Sequence, residues 1–243
     1  MKKLENKIAL ITGAGRGTGR ATAILFADHG ARLILVARTE EELNETAETC
    51  RDRGVDVFAA ACGLADRDRI DSLFYSLPDD FKAITILVNN AARFDAGKMH
   101  EYDYNDFEKM LAVNVLAPYY LARKIIPRMK SLGGGTIVNI SSFSGCFGVE
   151  KFPGFGAYNI TKYGLWGLTE ILALENKDKN IRVNQLSPSG VDTKMFHTAV
   201  PPGIKADLQP DEVARHILYL AGDDSAPLTG ENIMLSGMPG AEK

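Results

Sequence analysis

The chain has 243 residues, 45% of them apolar and 24% charged, with 28 Lys and Arg against 31 Asp and Glu for a formal net charge of -3. That balance suits one globular domain spanning 1-243 and offers no global charge to recruit nucleic acid or an anionic membrane. The three cysteines, Cys50, Cys62 and Cys146, lack paired C-x-x-C spacing and the four histidines lack metal-ligand spacing, so no metal is expected.

The first apolar run, residues 8–11, is too short for a signal segment or a membrane span, which together with the unpaired cysteines predicts a cytoplasmic protein. Further β-branched runs follow at 32–36, 55–61, 85–89, 136–140 and 181–186, separated by segments of helical period. Helix boundaries fall between them: Thr39 to Glu42 reads as a capping box, and Gly30 and Gly54 read as carboxyl-terminal stops. Strands that are apolar throughout, each followed by a helix, predict an α/β fold with a doubly wound parallel sheet and helices on both faces. Residues 145–156 and 189–209, rich in Gly and Pro, are the long loops expected to carry ligand contacts.

Between the first strand and a helix expected to begin near Arg20 lies Thr12-Gly13-Ala14-Gly15-Arg16-Gly17-Thr18-Gly19. Such a turn is either a tight connection or a cradle in which glycines and a helix amino terminus receive a pyrophosphate; its place after β1 favours the cradle. Tyr158 and Lys162 are four apart in a helical segment and share one face. An ammonium about 4 Å from a phenol would favour phenolate by about 4 kcal/mol at an effective dielectric of ~20, about three pKa units, and so prepare Tyr158 as an acid/base near neutral pH. Pro118 stands four residues after Asn114, so the Asn114 carbonyl loses its α-helical partner and becomes available to a water, or simply marks a kink.

These motifs, with Asn89-Asn90-Ala91, Ser141-Ser142 and the late Leu228-Thr229-Gly230, resemble those of the short-chain dehydrogenase/reductase family over essentially the whole chain, and look most like bacterial 3-oxoacyl carrier-protein reductases. The resemblance implies a Rossmann-type fold and a catalytic set of Asn114, Ser142, Tyr158 and Lys162. It places a nicotinamide dinucleotide against Thr12, Gly13, Gly15, Arg16, Gly17, Gly19, Arg38, Asn90, Ala91, Tyr158, Lys162, Pro188, Val191 and Thr193. Ser142 is preferred to Ser141 because Gly145 follows it by three, as in relatives, and the longer Ser142 to Tyr158 gap is placed around residues 150–155. Where NAD-binding relatives carry an acidic residue, this chain has Ala37-Arg38; Arg38 and Arg16 could clamp the 2'-phosphate of NADP, or be two solvated arginines. Gly63, Ala92 and Ser189 depart from the usual Asp, Gly and Gly, and the last two would be strained if their backbone needed positive φ.

The implied activity is NADP(H)-dependent reduction of a 3-oxoacyl or other ketone, with oxidation of a secondary alcohol as the alternative and a non-catalytic dinucleotide sensor as a further one. Phe94, Phe147, Phe152, Phe155, Met195 and Phe196 predict either an apolar substrate pocket or packing under loops, and His197 is the one histidine placed to touch substrate. Arg123, Lys124, Arg128 and Lys130 either dock an acidic carrier protein or complement a helix terminus. A homotetramer or homodimer packed through the helices of Asn114 and Tyr158 is implied by the resemblance.

Overall fold

In the computed structural model, which describes residues 2–237, seven strands form one parallel sheet in the order β3-β2-β1-β4-β5-β6-β7. In chain order they are β1 (Ile8–Thr12), β2 (Arg32–Ala37), β3 (Val57–Ala61), β4 (Ile86–Asn89), β5 (Gly135–Ile140), β6 (Ile181–Pro188) and β7 (Asn232–Leu235). The helices are α1 (Gly17–Asp28), α2 (Glu40–Arg51), α3 (Arg67–Ser76), α4 (Tyr104–Leu111), α5 (Ala117–Ser131), α6 (Gly156–Asn176), α7 (Lys194–Ala199) and α8 (Pro210–Ala221).

Side chains alternate across the sheet. Ala9, Ile11, Leu33 and Leu35 join a core with Phe26 of α1, Leu43 of α2 and Val213 of α8. Ile8, Leu10, Ile34 and Val36 point the other way, onto Ile70 of α3, Leu121 of α5 and Ala173 of α6. Both faces of each central strand are therefore dry, which is why these strands read as unbroken apolar runs. Strand order reverses between β1 and β4, and the crevice above their carboxyl ends is where such a sheet receives a ligand.

Helix ends differ from expectation in informative ways. Gly30, at φ +82°, closes α1 as anticipated: its N–H donates to Ala27 O at 2.9 Å and the Ala31 N–H to Phe26 O at 3.0 Å. Helix α1 begins at Gly17 rather than near Arg20, because the last glycines of the motif already form its first turn. Thr39 holds the N-cap position of α2 without a side-chain cap bond; Glu42, which a capping box needs, is turned to Arg16 at 3.2 Å instead. The third strand starts at Val57, two residues late, and β6 runs on to Pro188. Strand β7, pairing Asn232 to Leu235 with Gln185 to Pro188, was not expected from the sequence. No helix among the described residues is long and apolar enough to cross a membrane.

Candidate active site

The glycine-rich turn is stitched to the end of β4 by Thr12. Its hydroxyl donates to Val88 O at 3.2 Å and accepts the N–H groups of Asn90 and Ala91, each at 3.0 Å. Asn90 returns the tie through Nδ2 to Thr12 O at 2.9 Å. Two glycines make this closeness feasible. Gly13 sits at φ +66°, and a Cβ there would lie 2.8 Å from Asn90 Nδ2; a Cβ on Gly19 would lie 2.1 Å from Gly13 O. Gly15 lies against Glu42, and Gly17 against the methyl of Thr193.

Helix α1 has neither a capping side chain nor an acidic residue in its first turn, whereas Asp66 and Asp103 cap α3 and α4. Its leading N–H groups are thus left for an anion, and the cradle fits the pyrophosphate of a dinucleotide. At the end of β2, Arg38 is exposed and makes no ion pair among the described residues, while Arg16 is already paired with Glu42. Gly63 has room: a Cβ there would come no closer than 3.9 Å to Arg69. Neither Ala92 nor Ser189 has positive φ, so these departures carry no backbone strain.

The four expected catalytic residues converge at the carboxyl ends of β4 and β5. Asn114, only 1% exposed, lies in a π-helical turn, Ala112–Leu116, between α4 and α5. There the Ala117 N–H reaches back five residues to Ala112 O. Pro118 brings no N–H to the Asn114 carbonyl at α-helical spacing, and the helix widens into the π-turn at this point. The Asn114 side chain accepts from Arg93 N at 2.8 Å and donates to Arg93 O at 2.9 Å and Thr161 Oγ1 at 3.0 Å, joining the loop after β4 to α6.

Lys162 is 2% exposed, donates to Ile140 O at 2.8 Å and holds Nζ 5.4 Å from the Tyr158 ring centroid. Ser141 is spent on Lys162 O at 3.4 Å, while Ser142 caps the 3-10 turn Phe143–Gly145 and eases the Tyr158 pKa downward through a hydrogen bond. Burial outweighs that help. It pushes the Tyr158 phenol well up and pulls the Lys162 ammonium down to about 7. The expected ammonium-driven lowering of Tyr158 is therefore corrected for the protein alone: dehydration disfavours both charged forms and leads the shift of each.

Over Tyr158 sits an aromatic wall. Phe94 meets it edge to face at 5.2 Å and meets Phe155 at 4.7 Å, with Phe152 5.7 Å beyond. Phe147 does not join them; it is 81% exposed and packs at 5.0 Å on Tyr163. Pro188 ends β6 and Val191 bridges to Leu208, so residues 192–207 form a lid on a pinned stalk. Gly190 O takes the N–H groups of Asp207 and Leu208, and Asp192 O-atoms hold His197 at 2.6 Å and Gln209 at 3.2 Å. Helix α7 in this lid is capped by Thr193, which accepts from Phe196 N at 3.3 Å and donates to Val191 O. The Phe196 ring fills the space of a side chain at Gly190, where a Cβ would be 2.6 Å from Cε2.

Some of the expected groups lie elsewhere. Lys124 pairs with Asp71 of α3 at 2.5 Å, beside Tyr120, so that cation knits two helices. Thr161, Lys151 and Thr169 escaped the sequence reading; Thr169 ends a buried chain that runs from Asn89 through Asn139. Thr161 had a signal, lying next to Lys162 on a helix already identified.

Residues 7–202 match the model of the short chain dehydrogenase family. An oxidoreductase of Bacillus subtilis without an assigned substrate is 34% identical, over 98% of this chain and 92% of its own. A 3-oxoacyl-[acyl-carrier-protein] reductase of Thermotoga maritima is 31% identical, over 97% of this chain and 98% of its own. The structure of a 7α-hydroxysteroid dehydrogenase, solved with NADH and 7-oxo glycochenodeoxycholic acid, superposes with a TM-score of 0.90 at 26% identity, over 97% of this chain and 94% of its own.

Proposed function

The chain belongs to the short-chain dehydrogenase/reductase family, an oxidoreductase family, and we propose that within it this protein reduces a ketone to an alcohol with NADPH. The observation that carries the reading is the meeting of Tyr158, Ser142 and Lys162 beside the Thr12 to Gly19 cradle. When bound, the nicotinamide supplies the hydride. Burial keeps the proton on Tyr158 until a carbonyl oxygen beside it gains negative charge and takes that proton. Ser142 holds the same oxygen. Lys162, whose pKa lies near 7, can then take up a proton and offset the charge left on Tyr158. Asn114 keeps the β4 loop and α6 in register around them.

The preference for NADPH rests on Ala37, which cannot bond a ribose diol, and on Arg38, exposed and unpaired among the described residues. The related steroid dehydrogenase was solved with NADH, so the fold alone does not choose between the two. The wall of Phe94, Phe155 and Phe152 supports an apolar substrate, a 3-oxoacyl chain or a ring ketone. Exposed Leu116, Tyr119, Ile160, Ile171 and Leu174, on the helices around Asn114 and Tyr158, support a homo-oligomer.

The test is kcat/KM for NADPH and NADH against a panel of ketones, including an acetoacetyl thioester and cyclic ketones. NADPH is expected to be preferred, and the double variant A37D/R38A to reverse that preference. Equal or better use of NADH by the parent overturns the cofactor reading, and oxidation of neither cofactor with any ketone overturns the reductive one.

A further inference from the structure

We propose that Lys151 is a positioning residue: its ammonium, together with the Tyr163 hydroxyl, fixes the turn that carries Ser142 against the helix that carries Tyr158 and Lys162. The proposal rests on the reading of Ser142 as the group that holds the reacting oxygen.

That turn is a single 3-10 turn, Phe143–Gly145, and is weakly held by its own bonds. Gly145 N donates to Ser142 O at 2.9 Å, Cys146 N to Phe143 O at 3.1 Å, and Ser144 N to Ser142 Oγ at 3.2 Å. Three such bonds do not make a turn of this length rigid. Its outgoing carbonyls, however, converge on one cation. Lys151 Nζ donates to Phe143 O at 2.9 Å and to Cys146 O at 2.6 Å, and Tyr163 OH donates to the same Cys146 O at 2.9 Å. The ammonium also lies 5.3 Å from the Tyr163 ring centroid.

From the other side the turn rests on α6 itself. A Cβ on Gly145 would lie 2.7 Å from the carbonyl carbon and oxygen of Lys162, so the two backbones are in direct contact. Cys146 is buried, its Sγ 3.6 Å from both Ser142 O and Asn232 Nδ2. The turn is thus clamped between the Lys162 backbone and the Lys151 ammonium. Charge-assisted bonds are about twice as strong as neutral ones, which makes Lys151 the strongest of these ties. Lys151 contacts neither Tyr158 nor the Ser142 hydroxyl, so its action on the reaction passes through the turn. Helix α6 grips the turn with one neutral bond, from Tyr163 OH to Cys146 O, and leaves Phe143 O to the Lys151 ammonium.

The test joins amide hydrogen exchange to kinetics in the parent, Lys151→Met and Lys151→Arg proteins. Methionine keeps the stem and deletes the donor. Its exchange at Ser144, Gly145 and Cys146 is expected to accelerate at least tenfold, with α6 amides unchanged and Lys151→Arg close to the parent. Its kcat is expected to fall about tenfold with the KM for the dinucleotide unchanged, the size of effect that a sub-ångström misplacement brings. In a Ser142→Ala background the same substitution is expected to cost nothing further, because its route to the reaction is gone. Protection that persists at residues 144–146, loss of protection spread through α6, or a kcat loss that multiplies with that of Ser142→Ala would each overturn the proposal. The exchange arm needs no substrate. An absence of ketone turnover in the parent would therefore sink the reductive reading and leave the exchange arm to decide this one.

Discussion

Lys162 is a full-length side chain 2% exposed to solvent, and it stands in the protein at an energetic loss. Its pKa falls from 10.5 to about 7 through burial. The unfolded chain therefore binds a proton that the folded one does not throughout the window from about pH 7 to about pH 10.5, and stability rises with pH across it. Folded-state stability from this group is complete above the unfolded pKa and is lost as pH falls toward 7. Linkage puts the penalty at pH 7 near 4 kcal/mol, and at pH 9.5 near 1 kcal/mol. Lys162→Met keeps the apolar stem, removes the ammonium and leaves Ile140 O without its Nζ donor, a loss of about 1–2 kcal/mol. The expected net is a gain of about 2 kcal/mol at pH 7 that disappears, or reverses, by pH 9.5. Urea unfolding of parent and variant at pH 7, 8.5 and 9.5 measures the difference directly, with other titrations cancelling between the two proteins. A difference that does not change with pH would refute the reasoning. The variant is expected to be inactive if Lys162 has the proposed role, and the cost of its burial is then a stability loss kept for that role.

Tyr158→Phe is expected to lower turnover more than about a hundredfold with dinucleotide affinity kept, since it deletes the transferable proton outside the glycine cradle; retention of more than about a tenth of kcat would defeat the acid/base role. Pro118→Ala returns an N–H at α-helical spacing from Asn114 O, and is expected to preserve or raise the melting temperature while kcat drops several-fold as the π-turn tightens; an unchanged kcat would count against that role for the turn. Gly190→Ala places a methyl 2.6 Å from the Phe196 ring, and is expected to unseat α7 and speed tryptic cleavage after Lys194 and Lys205 several-fold; cleavage at the parental rate would show that the ring is not what seats the lid.

Strands β1, β2, β4 and β5 were legible because both of their faces are buried, which forces consecutive apolar residues. Strand β7 was not. Its four residues include Asn232, which serves Ser187 and Cys146 rather than the core, and Met234, which is half exposed, so the run carries no clear period. Tyr158 and Lys162 were readable from their spacing along one helix, while Asn114 and Ser142 came from the resemblance to the family's motifs. Their electrostatics were not, because the sign of a pKa shift depends on burial and on distances that spacing leaves free. Glu42 shows the same limit: a capping box and an ion pair with Arg16 ask for the same carboxylate, and only the packed chain decides between them. Lys151 was hidden for a related reason, lying in a Gly- and Pro-rich stretch whose path no periodicity describes.

The stalk under the lid has a consequence for how this protein can change. Val191 and Leu208 are bridged, and Gly190 O receives two amides from the returning strand of the loop, so residues 192–207 begin and end at one fixed point on the sheet. Doubling the length of a loop whose ends are already held costs only about 0.6 kcal/mol in closure entropy. Insertions between Val200 and Ala206, beyond α7, therefore cost little in folding, while they reshape the loop whose Thr193 lies against Gly17 of the cradle. Length can thus change in one closed ring while the sheet, the glycine turn and the setting of Tyr158 stay as they are.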